Sequence, residues 1–316
     1  MFDREELDTG IGGGSAGTTQ KGNTEGARHL RLALPKGRMQ VGVAQLLADA
    51  GIPVQSDARG YRPKLALADV DAKLLKPQAI AAMLAAGTRD LGFCGADWVA
   101  ETRAEVELLL DTGLDPVRLV VAAPPQLLCA GELPRRSLRV ASEYANLAQS
   151  WVSSPPRSGS VLSTCGATEV YPPEDADCIL DNTATGSTLK ANGLVIVDEI
   201  MRSTTCLYAS RRALRDPDLR SRIDDFVMLL AGVVEARSRC VIELNVRRED
   251  LDAVVRALPA MLKPTLAPLH GDFGFGVKVA VRRDALVELI PNIRAAGARD
   301  IMVSSVAQII NARGTP

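Results

Sequence analysis

The chain has 316 residues, 47% of them hydrophobic and 24% charged, a globular balance with room for two or three separately cored domains. A net charge of −1 excludes a surface that attracts polyanions as a whole, and 3% aromatics argues against a base-stacking platform for single strands. Any anion site must therefore be local. The two histidines, His29 and His270, and six scattered cysteines without a Cys-x-x-Cys pair argue against zinc and against a Ser-His or Cys-His nucleophile, so no metal-ligating residue is assigned. The cysteines read as reduced thiols of a cytoplasmic protein. No run is long and apolar enough to span a membrane, and the opening Met1-Phe2-Asp3-Arg4-Glu5-Glu6 lacks the basic-then-apolar order of a secretory leader.

Residues 1–29 are expected to form a disordered tail, because Ile11 to Thr19 is mostly glycine and small polar residues and cannot offset its own ordering entropy. Leu30 to Leu34 alternates as a strand. Pro35-Lys36-Gly37-Arg38 follows as a loop, and Val41 to Ala50 has helical spacing that Gly51 stops. Lys36 and Arg38 thus stand at a strand end, where α/β proteins hold ligands, although a solvated basic loop would look the same. Lys76-Pro77-Gln78 opens a helix over Ala79 to Ala86. Asp90 to Asp97 is a strand running into a Gly/Asp loop that holds Gly95 and Asp97.

Arg118 to Ala123 is a buried strand ended by Pro124-Pro125, and it is where the chain is expected to cross into a second lobe. Leu138 to Ala141 is a strand, Asn146 to Val152 a helix and Ser160 to Ser163 a strand. Gly166-Ala167-Thr168-Glu169-Val170 then opens a further helix. Cys178-Ile179-Leu180 leads into Asp181-Asn182-Thr183-Ala184-Thr185-Gly186-Ser187-Thr188-Leu189. Strand, hydroxyl-rich glycine loop and helix start form a construction for phosphate: orphan N–H groups and hydroxyls donate, and glycine admits close approach. Asp181 cannot favour phosphate but can accept hydrogen bonds from sugar hydroxyls, which together point to a sugar phosphate. A threonine-rich capped turn has the same residues.

Leu194 to Ile200 and Thr204 to Ala209 read as two more strands that return the chain to the first lobe. A helix is expected from Ile223 to about Arg239. Beyond it the order βαββαβ is ferredoxin-like, with strands Val241 to Val246, Pro264 to Leu269, Phe275 to Val281 and Asp300 to Val306. Its helices are Glu249 to Leu258 and one capped by Asp284, in which Pro291 should kink the chain or start a new turn. The domain expectation is lobe I over 30–117 and 203–222, lobe II over 118–202, and a third domain over 223–316. Alternating strands and helices make both lobes α/β.

Several of these stretches resemble the ATP phosphoribosyltransferase family. Asp181, Thr185-Gly186-Ser187-Thr188-Leu189 and Ala191-Asn192-Gly193-Leu194 are similar to its phosphoribosyl-pyrophosphate loop. Asn182 and Thr183 stand where the family usually has Leu and Val. Leu34 to Arg38, Asp90 to Asp97, Gly166 to Val170 and Pro264 to Leu269 resemble other family stretches in the same order, and together they cover about 30–310. Lys76 and Gln78 depart from a family Arg-Pro-x-Asp. The resemblance implies a two-lobed core of the type II periplasmic-binding-protein fold with a third domain that binds histidine, and dimers assembling to hexamers.

It further implies transfer of phosphoribosyl from phosphoribosyl pyrophosphate to N1 of ATP. Asp181 would then meet the ribose hydroxyls, and Thr183, Ala184, Thr185, Gly186, Ser187 and Thr188 the 5-phosphate. Lys36, Arg38 and Arg118 would face the other phosphates, and Gly95, Asp97 and Glu169 the nucleotide. Mg2+ is expected to travel with the phosphates. Two alternatives stay open: a non-catalytic two-lobed protein that binds a small ligand, and a regulatory paralogue weakened at Lys76 and Gln78.

Overall fold

The computed structural model describes residues 29–55, 60–259 and 263–310; the expected tail, apart from His29, lies outside them. The chain opens with β1 (Leu30–Pro35), α1 (Arg38–Asp49), the short β2 (Val54–Gln55) and β3 (Lys64–Leu65), β4 (Val70–Leu75), α2 (Pro77–Ala85), β5 (Leu91–Gly95) and α3 (Ala96–Thr102). β6 (Val106–Ala123) leads to β7 (Ser137–Ser142), α4 (Ala145–Val152), β8 (Ser158–Ser163), β9 (Cys178–Thr183) and α5 (Ser187–Ala191). β10 (Val195–Ser210), α6 (Arg211–Leu214) and α7 (Pro217–Arg237) complete the core.

One eight-stranded sheet runs through that core in the order β4-β1-β5-β10-β6-β9-β7-β8. β4, β1 and β5 are mutually parallel, as are β9, β7 and β8, while β6 and β10 form an antiparallel pair between the two sets. Each half-sheet has its own core. Leu32, Leu46, Leu47, Leu91 and Phe93 fill the first, and Leu119, Val140, Val152, Cys178 and Leu180 the second. This is the two-lobed α/β layout of type II periplasmic-binding proteins.

The two middle strands are longer than the sequence pattern predicts. The predicted strand Arg118 to Ala123 is only the end of an 18-residue strand. Gly113-Leu114-Asp115-Pro116 looks like a turn, but the sheet absorbs it with Gly113 and Asp115 at φ of 66° and 49°. Likewise the two strands predicted from Leu194 are one 16-residue strand, and Met201-Arg202-Ser203 between them stays in the ladder.

The helix predicted from Ile223 begins earlier, at Pro217, because the Asp216 side chain accepts the Asp218 and Leu219 N–H groups. Its residues Leu219, Ile223, Phe226, Leu230 and Val233 pack into the first lobe's core. A third-domain boundary at 223 would therefore cut a helix of that core, and we place the boundary between α7 and the next strand. That strand is β11 (Arg239–Val246), followed by α8 (Leu251–Ala257), β12 (Thr265–Pro268), β13 (Phe275–Arg282), α9 (Leu286–Ala295) and β14 (Arg299–Ser305).

The sheet order β12-β13-β11-β14 is that of a ferredoxin-like βαββαβ unit. Val254, Leu289 and Ile293 of its helices pack on Ile242, Leu244, Val277 and Val279 of its strands. Pro291 lies inside α9, which continues through it. Asp284 does not cap that helix; its carboxylate pairs with Arg282 at 2.6 Å instead. No described helix is long and apolar enough to cross a membrane.

Candidate active site

Register decides where the loops go. Gly95, at the end of β5, is paired with Thr205 of β10, and Thr205 in turn with Leu114 of β6. Thr183, at the end of β9, is paired with Arg118 of β6, which pairs with Arg202 of β10. The parallel strands of the two halves run in opposite senses, so both sets aim their C-terminal ends at the middle of the two long strands. The loops after β1, β4 and β5 therefore face the loops after β7, β8 and β9 across a cleft. Ligands of open α/β sheets bind outside such strand ends.

On the second-lobe side stands the loop after β9. Cys178, Ile179 and Leu180 are fully buried and fix the strand, while Asp181 is half-buried at its tip. Gly186 sits at φ 79°, a left-handed conformation that a β-carbon strains. Thr183 Oγ1 accepts the Gly186 N–H at 2.9 Å, and Thr185 Oγ1 accepts the Ser187 N–H at 3.3 Å. The Gly186 and Ser187 N–H groups are thus taken by the loop's own hydroxyl oxygens, while those hydroxyls keep their O–H to donate. Ala184, Thr185, Ser187 and Thr188 are exposed, and the Thr185 and Ser187 hydroxyls lie 2.9 Å apart.

Asp181 lies near Glu169 and Glu143. Burial raises the Asp181 pKa above the ordinary carboxylate range, and the nearby charges of Glu143 and Glu169 add to the rise. The Thr168 hydroxyl and the Asn182 N–H, 2.6 Å from Asp181 Oδ1, oppose it by donating to the ionised form. Glu143, at the end of β7, was missed. The same strand-end logic that picked out Lys36 would have found it. Among the described residues no group of three His, Cys, Asp or Glu converges as a metal cage.

The basic residues divide. Lys36 follows β1, with its backbone N–H on Leu75 O at 2.8 Å and its ammonium 4.0 Å over the Tyr61 ring. Arg38, the first residue of α1, is exposed and has no ion-pair partner among the described residues. Arg118 lies beside the loop, cross-strand from Thr183, but shares Glu199 with Arg202, at 3.3 Å and 2.9 Å respectively. Lys76 is exposed at the end of β4, and the Gln78 Oε1 behind it is buried without a partner.

Gly95 and Asp97 sit deeper than the sequence suggested. Asp97 is 3% exposed, and its two oxygens accept from Ser203 Oγ at 2.8 Å and Tyr144 Oη at 2.6 Å. A β-carbon on Gly95 would lie 2.0 Å from Asp97 Oδ1, so glycine there makes room for the carboxylate. Both residues serve the seam between the lobes and do not open on the cleft.

Comparison with known proteins agrees with this architecture. Residues 76–232 match the family model described as HisG, ATP phosphoribosyltransferase, and residues 236–308 match the HisG C-terminal domain. The chain is similar to the ATP phosphoribosyltransferase of Chlorobaculum parvum, at 32% identity over 89% of this chain and 98% of that one. The same enzyme of Pelotomaculum thermopropionicum is 32% identical over 89% of this chain and 99% of its own. A chain of the solved ATP phosphoribosyl transferase (HisG:HisZ) complex of Thermotoga maritima superposes with a TM-score of 0.58 at 27% identity, covering 65% of this chain and 98% of that one. By this match over nearly its whole described length, the chain belongs to the ATP phosphoribosyltransferase family, pentosyl transferases of the first step of histidine biosynthesis, in the long form with a C-terminal domain.

Proposed function

We propose that the protein transfers the phosphoribosyl group of phosphoribosyl pyrophosphate to N1 of ATP. The N1 lone pair forms the new bond at the anomeric carbon, and the bond to pyrophosphate breaks with its electrons leaving on pyrophosphate. The nucleophile already has its lone pair, so the protein's work is alignment and charge balance. The observation that carries this reading is the loop after β9, where a half-buried carboxylate stands beside exposed Thr185 and Ser187 hydroxyls around left-handed Gly186. Asp181 would accept hydrogen bonds from the ribose hydroxyls, and Ala184, Thr185, Ser187 and Thr188 would receive the 5-phosphate. Lys36, Arg38 and Arg118 would meet the pyrophosphate and triphosphate, with Glu169 towards the nucleotide.

Magnesium would accompany the polyphosphates and neutralise part of their charge. The oxygen donors of Asp181 and Glu169 suit so hard an ion, which keeps most of its shell as water and phosphate oxygen. Histidine would act as feedback inhibitor through the third domain, and the chain would work as a homo-oligomer, as dimers or hexamers. Its six free thiols suit a reducing cytoplasm. The test of the reaction is incubation with ATP, phosphoribosyl pyrophosphate and magnesium. Equimolar phosphoribosyl-ATP and pyrophosphate are expected; turnover of neither substrate would leave a two-lobed binding protein.

A further inference from the structure

Side chains alternate across a strand. While Asp181 of β9 looks towards Thr168 and Glu169, its neighbour Asn182 looks the other way. There Asn182 Nδ2 donates to Tyr144 Oη at 2.9 Å, and Tyr144 Oη donates to Asp97 Oδ2 at 2.6 Å. Ser203 Oγ donates to Asp97 Oδ1 at 2.8 Å and accepts the Asp97 N–H at 3.1 Å. Tyr144, Asp97 and Ser203 are 0%, 3% and 4% exposed, so water does not compete for these bonds. Burial, and then the Asp97 charge, push the Tyr144 phenol far above its ordinary pKa, which keeps it a donor.

The relay joins parts that are distant in sequence. Asp97 belongs to α3 of the first lobe, Ser203 to the long β10, and Tyr144 and Asn182 to the second lobe. Two further contacts of α3 hold the same place. Trp98 stacks on Tyr144 with ring centroids 4.4 Å apart. One turn later, the Glu101 carboxylate accepts the Asn146 and Leu147 N–H groups at the start of α4, each at 2.9 Å.

We propose that Asn182 is a positioning residue, which through Tyr144 and Asp97 ties the phosphoribosyl-donor loop of the second lobe to the first. The tie keeps the sugar-phosphate side of the cleft in place relative to the basic loops after β1 and β4. The tie depends on the Asn182 side chain, whose Nδ2 donates to Tyr144 Oη at 2.9 Å. A leucine would leave the Tyr144 hydroxyl without its donor and the loop end without its anchor. Misplacing the adjoining Asp181 by a fraction of an ångström suffices to weaken the alignment on which such a transfer depends.

The inference rests on the reading of the loop as the phosphoribosyl-donor site, and its test separates the two. Asn182→Leu, Tyr144→Phe and the double variant are compared with Asp181→Ala in full-length protein. Steady-state kinetics are measured in each substrate, with calorimetric titration of phosphoribosyl pyrophosphate. Each single variant of the relay is expected to raise KM and Kd for phosphoribosyl pyrophosphate about three- to tenfold, the range of one lost hydrogen bond. KM for ATP should stay within about twofold, and the double variant should be no worse than the worse single one.

A merely structural defect would lower the active fraction, and so kcat, with both KM values unchanged; that result overturns the proposal. Unaltered kinetics in Asn182→Leu, or multiplying losses in the double variant, overturn it too, even where Asp181→Ala has lost the donor. If Asp181→Ala also binds phosphoribosyl pyrophosphate like the parent, the reading of the loop itself falls. Tyr144→Phe keeps the stack on Trp98, so it remains informative should Asn182→Leu fail to fold.

Discussion

Asp181 is a carboxylate kept in an unfavourable place. Its folded pKa is raised, mainly by burial. Between the unfolded and folded pKa values the native chain binds more protons than the unfolded one, so stability falls as pH rises through that window. At neutral pH the charge therefore destabilises the fold. Asp181→Asn should melt at a higher temperature than the parent at pH 7, with the gain shrinking on acidification, while phosphoribosyl-pyrophosphate binding drops. Scanning calorimetry across pH checks the first part, and a melting point below the parent's at pH 7 contradicts it. A β-carbon at Gly186 would meet only Ile196 Cδ1, at 3.8 Å, so in Gly186→Val the first added atom finds space. The loss comes from the left-handed φ and from filling the phosphate's place. Binding should fall tenfold or more, as when a charge-assisted hydrogen bond is lost; isothermal titration reads it. At this scale the sequence showed a strand end running into a glycine loop rich in hydroxyls, a pattern that a threonine-rich capped turn shares. It did not show that the Gly186 and Ser187 N–H groups are already taken by Thr183 Oγ1 and Thr185 Oγ1, nor that Asp97 faces inward. The first depends on how the loop folds on itself, and the second on Tyr144 and Ser203, far along the chain.

Elements were legible where one period held. The edge strand β4 was not read, whereas the ferredoxin-like unit and the strands β1, β5, β7, β8 and β9 follow from alternation and glycine stops. The long middle strands did not, since Gly113 to Pro116 and Met201 to Ser203 read locally as breaks, and only pairing with each other keeps them extended. The start of α7 was missed for a related reason: Asp216 and Pro217 are an ordinary cap and first residue, but the apolar stripe behind them is sparse until Ile223. Its place in the first lobe's core has a measurable outcome. Phe226 is 2% exposed among Leu30, Phe93 and Leu230 of that core. Phe226→Ala should cost roughly 3–5 kcal/mol, the range for truncating a buried phenylalanine. Denaturant unfolding should show the loss in the transition of the catalytic core. A loss confined to a separate transition of the third domain would mean that α7 belongs to the latter.

At the scale of the molecule, a transfer carried out between two lobes has no evident need of a third domain, which makes regulation its expected use. Histidine should inhibit the full chain and leave a version ending at Arg237 active and insensitive. That end point spares α7, which an earlier cut would sever. A ligand acts only through different affinity for two arrangements, and by linkage the substrate should weaken histidine binding by the same factor if inhibition acts on affinity. Calorimetry showing no histidine binding up to millimolar concentration would leave the domain a structural piece. The lobes themselves are joined by two shared strands. β6 and β10 belong to both, so no flexible linker separates one half from the other. Opening the cleft means flexing a hydrogen-bonded ladder, and its five register irregularities between Ile196 and Tyr208 are where it yields. Such a connection behaves as a leaf spring: the excursion is small, and the restoring force is built into the sheet. Amide exchange should accordingly stay slow along most of both strands with and without substrates. Ligand-dependent change should be confined to the amides at the five irregularities themselves, and rapid exchange along the full length of either strand in the free enzyme would show a loose joint instead.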